Sequence, residues 1–138
     1  MPPKTILSLD IGNQRIGVAL ASIAAKLPAP FKTIKFETAE NEIGQIIQQQ
    51  NVVAVVVGLP RGLNGQETDQ TRRTRKLAKD LQSKLEIPLY LQDEALSSKR
   101  AESELSAHGK PYDKANIDSL AACYILEDWL VENGRLFR

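Results

Sequence analysis

Lys4-Thr-Ile-Leu-Ser-Leu-Asp10-Ile-Gly-Asn-Gln-Arg15-Ile-Gly-Val-Ala-Leu-Ala21 is the stretch from which the rest of the chain can be ordered. Thr5 to Leu9 has the β-branched, alternating character of a strand, Gly12-Asn13-Gln14-Arg15 supplies turn chemistry, and Ile16 to Leu20 alternates again. The reading is a β-hairpin. Asp10 stands where the first strand ends, a position that suits an Asx-type turn as well as a working acid, so its role depends on partners elsewhere in the chain.

Working outward, Ala24 to Pro30 is a proline-punctuated turn and Phe31 to Phe36 alternates well enough for a third, edge strand. A helix is expected from about Glu40 to Gln50, with Ile43, Ile46 and Ile47 at helical spacing. Val52-Val-Ala-Val-Val-Val57 is a nearly unbroken β-branched run, the pattern of a central parallel strand buried on both faces. The segment Gly58-Leu-Pro-Arg-Gly-Leu-Asn-Gly65 reads as a loop. It fits neither the Walker pattern nor Gly-x-Gly-x-x-Gly, which leaves a flexible turn or backbone lying close to a phosphate chain.

The next helix is expected over about Thr68 to Lys84, with Thr74, Leu77, Ala78, Leu81 and Leu85 inward and Arg72, Arg75, Lys76 and Lys79 on the other face. That cationic stripe is either a solvated surface or a place for phosphates. Pro88 to Gln92 is a short strand, and Asp93-Glu94 leads into a helix through about Ala107. A linker over Gly109 to Asp113 precedes a last helix, about Lys114 to Val131, with Ile117, Leu120, Ala121, Tyr124 and Ile125 inward. Asp118 lies at the edge of that face beside Ala121 and Ala122, whose small side chains allow close approach to a sheet. As a bland alternative, an acid near a helix start makes a favourable dipole contact.

The 138 residues suit one domain over 1–138, and a composition of 42% hydrophobic and 25% charged residues is that of an ordinary globular protein. A net charge of +1 means that any nucleic-acid affinity must come from a local patch. The one cysteine, Cys123, excludes an internal disulfide and a thiolate metal cluster, and reads as a small buried hydrophobe. The one histidine, His108, sits at a helix end beside Gly109, which suits capping better than zinc binding or Ser-His-Asp catalysis. Trp129 reads as core or interface packing. The Met1-Pro-Pro-Lys4 start has no signal-peptide core and no apolar run reaches membrane-spanning length, so the expected location is the cytoplasm, away from membranes.

The element order implies an α/β fold, a five-stranded mixed sheet flanked by helices on both faces. The first, fourth and fifth strands would be parallel, and ligands of such sheets gather beyond the carboxyl ends of the strands. Asp10, the Gly58 segment and Glu94 fall at those ends, and Asp118 is the acid on the last helix that can join them. Three carboxylates make a hard, all-oxygen site suited to Mg2+ or Mn2+. Two such ions, about 4 Å apart, can activate water and stabilise the leaving oxygen in phosphodiester hydrolysis.

Together, Leu9 to Ala19, Val56 to Gly65, Asp93-Glu94 and Ile117-Asp-Ser-Leu-Ala-Ala122 resemble the YqgF family, the pre-16S ribosomal RNA nucleases and Holliday-junction-resolvase homologues. The likeness spans nearly the full chain. It implies a ribonuclease H-like fold, with Asp10, Glu94 and Asp118 at the family's acidic positions and Arg15 at its first-motif arginine. It also implies a metal-dependent nuclease that matures the 5' end of 16S ribosomal RNA, with pre-rRNA, ribosomal subunit precursors and branched DNA as partners for a monomer or homodimer. This chain departs from the family at Ala95, where an arginine is usual, and at Asn13-Gln14, where Thr-Lys or a near equivalent is usual. The missing cations predict slower hydrolysis, with Arg61 a substitute beside Arg15, Arg72, Arg75, Lys76 and Lys79 for gripping nucleic acid. Three other readings stand beside this one. They are a junction-cutting DNA nuclease, an assembly factor without catalysis, and a nucleotide-binding domain, since the first hairpin also resembles that of actin-like ATPases.

Overall fold

The computed structural model describes residues 3–61, 65–94 and 114–137. The opening stretch forms the expected hairpin, β1 (Thr5–Ile11) and β2 (Arg15–Ser22), and β3 (Ala29–Lys35) lies antiparallel beside β2. After a 3-10 turn over Phe36–Thr38 come α1 (Ala39–Gln49), β4 (Val52–Pro60), α2 (Asp69–Lys84), β5 (Leu89–Glu94) and α3 (Lys114–Asn133). The strand order is β3-β2-β1-β4-β5, with β4 parallel to both β1 and β5. Among the described residues no helix is long and apolar enough to cross a membrane.

The two-residue period of the strands sorts side chains into two layers. Leu7, Leu9 and Ile11 of β1 pack with Ile16 and Val18 of β2, Val55 and Val57 of β4, and Ile43, Ile46, Leu77, Ala78 and Leu81 from α1 and α2. Ile6, Ala21, Ala54 and Val56 point to the other face and meet Ile125, Leu126 and Trp129 of α3, with Tyr90 stacked at a tilt on Trp129, ring centroids 5.1 Å apart. Cys123 is buried on the same helix. The sheet is therefore covered by α1 and α2 on one face and α3 on the other.

Two boundaries differ from the sequence expectation in ways that matter for the site. The fourth strand does not stop at Val57, because Gly58, Leu59 and Pro60 continue it, paired with Gln92, Asp93 and Glu94. Gly58 is thus a strand residue, and the loop proper starts at Arg61. The fifth strand likewise runs on to Glu94, which places that carboxylate on the sheet rather than after it. On α3, six consecutive residues from Ala121 to Leu126 are buried, so the helix is covered all round there rather than along one stripe. The helix expected after Glu94, the Gly109 to Asp113 linker and His108 lie outside the described residues.

Candidate functional site: an acid cluster under the last helix

Asp10, Gly17, Gly58 and Glu94 all belong to the face that α3 covers, and register makes them neighbours. Asp10 is paired with Gly17 across the hairpin, and Gly58 lies in β4 alongside β5. The two glycines let the helix come down on the acids. A Cβ on Gly17 would stand 1.9 Å from the backbone oxygen of Asp118, and one on Gly58 would stand 2.3 Å from Ile125 Cδ1 and 3.2 Å from Glu94 Oε2. Ser8 completes the seat, its buried hydroxyl donating to Ala122 O at 2.7 Å. Sequence reasoning missed these glycines, although a glycine inside a strand is itself a sign of close backbone approach.

The acids behave as a group. Burial, then the negative charges of Glu94 and Asp118, hold the Asp10 carboxyl well above the usual carboxylate range, and a hydrogen bond with Glu94 adds to the rise. Burial pushes Glu94 up to about 7, against the opposing effect of its bond to Asp10. Two carboxyl groups in hydrogen-bond contact cannot both be charged without something positive between them, so near neutrality the pair retains a proton. Asp118 is held differently, by Arg15 Nε, which donates to Asp118 Oδ2 at 3.1 Å.

A divalent cation between Asp10 and Glu94 would do what the proton does now, and the hard oxygen donors suit magnesium or manganese. Among the described residues no three His, Cys, Asp or Glu side chains already stand as a ligand group, since Asp118 is turned to Arg15. The residues fit a cation through Asp10 and Glu94, with Asp118 available when Arg15 lets it go.

The cations sort by layer. Arg15 shares the acid face and, with Gly12, Asn13, Gln14 and Asp118, lines a cavity of about 350 Å³. The stripe on α2 lies across the sheet, and its two arginines, like Arg61 before the helix, are matched by acids. Arg72 pairs with Asp69, Arg75 with Glu67, and Arg61 with Asp93 at 3.2 Å and Glu67 at 3.9 Å. Lys76 lines a cleft with Glu37, Glu40 and Asp80, and Lys79 a groove beside Leu89 to Leu91. Arg73, absent from the sequence expectation, donates to Asn13 O at 2.6 Å and covers the Phe36 ring at 4.0 Å. No periodicity could have found it, since it acts on a turn 60 residues away.

A family model described as "RuvX: Holliday junction resolvase" matches residues 4–132. A protein of Maridesulfovibrio salexigens named "Putative pre-16S rRNA nuclease" is 38% identical over 131 residues, covering 91% of this chain and 96% of that one. One of the same name from Chloroflexus aurantiacus is 41% identical over 135 residues, covering 94% and 88%. Among solved structures, Thermus thermophilus RuvC superposes with a TM-score of 0.59 at 12% identity, covering 94% of this chain and 96% of that one, a likeness of fold.

Proposed function

The chain belongs to the RuvX family and has a ribonuclease H-like fold, and from that premise we propose that it is a metal-dependent endonuclease that hydrolyses phosphodiester bonds in structured nucleic acid, processing the 5' end of pre-16S rRNA. The observation that carries this reading is the hydrogen-bonded pair of Asp10 and Glu94 at the carboxyl ends of β1 and β5, with the charge of Asp118 close enough to act on Asp10. The names of the relatives support the RNA substrate.

In this reading Asp10, Glu94 and Asp118 are the catalytic acids and would hold one or two divalent ions. Such ions, when bound, supply Lewis-acid activation of water and neutralise the leaving oxygen. The rest belongs to the chain. Asp10 and Glu94 would hold such an ion as carboxylates, their shared proton lost to solvent, and Asp118, released from Arg15, would supply the third carboxylate. Arg15 then has its charge free for the substrate phosphate, the bidentate partner that arginine suits best. The seat made by Gly17 and Gly58 keeps α3 close, so the acids are held in a partly dry setting where their fields are stronger than in water. Arg61, Arg72, Arg75, Lys76 and Lys79 are proposed to guide the nucleic acid further from the acids, and the pairing of the three arginines with Glu67, Asp69 and Asp93 limits that contribution to moderate salt-dependent attraction.

The test is cleavage of an end-labelled precursor 16S RNA fragment and of a DNA four-way junction, each with magnesium or manganese, by the parent protein and by Asp10→Asn. RNA cut by the parent and left whole by the variant is the expected result. Cleavage of junctions alone would move the substrate to branched DNA, a reading that the family model's description favours. A folded protein that binds manganese and cuts neither would overturn the nuclease reading.

A further inference from the structure

The turn between β1 and β2 is held from outside by its carbonyl groups. Gln70 Nε2 donates to Ile11 O at 2.6 Å, Arg73 Nη2 donates to Asn13 O at 2.6 Å, and Phe36 N donates to Gln14 O at 2.9 Å. Gly12 N closes the turn on Arg15 O at 2.9 Å, and a side chain on Gly12 would meet that oxygen at 2.8 Å. Gln70 and Arg73 both stand on the first turns of α2, and Arg73 is itself fixed over the Phe36 ring. In a trans peptide the C=O and the following N–H point in opposite directions. With Asn13 O turned to Arg73, Gln14 N–H therefore faces away from α2, the side on which Arg15 and Asp118 line the cavity. Arg15 uses Nε for Asp118, and its guanidinium carries five N–H donors, so its outer nitrogens remain for another acceptor.

We propose that this cavity is a subsite for one non-bridging phosphate oxygen of a nucleic-acid backbone, bound by Gln14 N–H and the outer nitrogens of Arg15. Arg73 and Gln70 are positioning residues that set the turn for it without touching the phosphate. The assignment rests on the nuclease reading above and adds to it a place beside the acids where the strand is gripped. It also offers a reason why this chain tolerates Asn13-Gln14, since main-chain N–H groups bind phosphate whatever side chain they carry. Asp118 borders the same cavity, and its charge is offset by Arg15, so the subsite is expected to strengthen once a cation draws Asp118 away.

Binding and cleavage are separated by using the Asp10→Asn protein, with a fluorescein-labelled RNA hairpin as probe over a range of salt. A direct phosphate contact contributes about one unit to the salt slope of log K, whereas a positioning residue contributes affinity and no slope. Added to Asp10→Asn, Arg15→Met is expected to weaken binding roughly tenfold and to lower the slope by about one. Arg73→Met is expected to weaken binding by a smaller factor with the slope unchanged, and to move the Gln14 amide resonance in a nitrogen-proton spectrum. A fall in slope for Arg73→Met would overturn its positioning role, because it would make Arg73 itself a phosphate contact. Affinity unchanged by Arg15→Met, in a protein whose spectrum stays folded, would overturn the subsite while leaving the nuclease reading intact. No binding of the hairpin by the Asp10→Asn protein would remove the nucleic-acid reading and the subsite with it.

Discussion

At Gly17 one added methyl group would collide with the backbone of α3, whereas at Gly44 in α1 a Cβ meets nothing within 4 Å. Gly17→Ala must push the helix off the sheet or strain β2, an overpacking cost of about 1–3 kcal/mol or more, and it should lower activity out of proportion because Asp118 moves with the helix. Gly44→Ala removes a flexible residue from a helix interior and should stabilise by about 0.5–1 kcal/mol. Urea unfolding of the two variants checks both signs, and a Gly17→Ala protein as stable as its parent would mean that α3 is not seated as closely as described. The acids themselves were legible in the sequence, because Asp10 and Glu94 follow strand patterns and Asp118 interrupts an apolar helix face. The contacts that tune them were not. Arg15 meets Asp118 across 103 positions and Gln70 meets Ile11 across 59, and such pairings follow from register and helix placement that single-residue patterns do not encode.

Among the elements, α2 shows how a helix start is tied to a strand end. Thr68 and Thr71 form a reciprocal capping box, with Thr68 Oγ1 accepting from Thr71 N at 3.2 Å and Thr71 Oγ1 accepting from Thr68 N at 3.0 Å. The Thr71 hydroxyl also donates to Pro60 O at 2.6 Å, so one buried atom links the cap to the end of β4. Thr71→Val keeps the shape and removes that atom, leaving a carbonyl and an amide short of partners at a cost of about 1–3 kcal/mol. Thr68→Ser keeps the cap and should stay within about 0.5 kcal/mol of the parent. Chemical denaturation with an unchanged m-value would confirm that the loss is local; equal stability of the two variants would show that the Pro60 link carries nothing. The element order was legible because the apolar periods of β1, β2, β4, α1 and α2 are strong. The ends were less so: Gly58, Leu59 and Pro60 look like a turn by composition, yet pairing with β5 holds them in the sheet. Tertiary hydrogen bonding overrode local preference there, and it is the override that brings Gly58 under α3 beside Glu94.

The whole molecule carries the cost of holding its acids together, and that cost depends on pH. Glu94 has a folded pKa of about 7 against an ordinary value of 4.5, and Asp10 is raised as well, mainly by burial in both cases. The folded state therefore binds protons more tightly than the unfolded chain between those values, and stability falls as pH rises through that window. The part due to Glu94 is fully present below about pH 4.5 and is lost as pH rises through about 7, and the raised Asp10 adds a loss of the same sign. A metal-free preparation is expected to melt at a lower temperature at pH 8 than at pH 6. A divalent cation held by Asp10 and Glu94 needs the pair deprotonated, so manganese should raise the melting temperature more at pH 8, where less proton has to leave Glu94, than at pH 6. Asp10→Asn removes the like-charge repulsion and one ligand together. That variant should lose the gain from manganese and keep only the smaller pH 6 to pH 8 difference that the burial of Glu94 causes, while retaining at pH 8 a stability equal to or above that of the metal-free parent. Thermal melts of parent and variant at the two pH values, each with manganese and with a chelator, read all of this in one set. A manganese gain that survives Asp10→Asn would place the cation away from the acid pair, and a parent that melts alike at both pH values would mean that Asp10 and Glu94 do not share a proton in the folded chain.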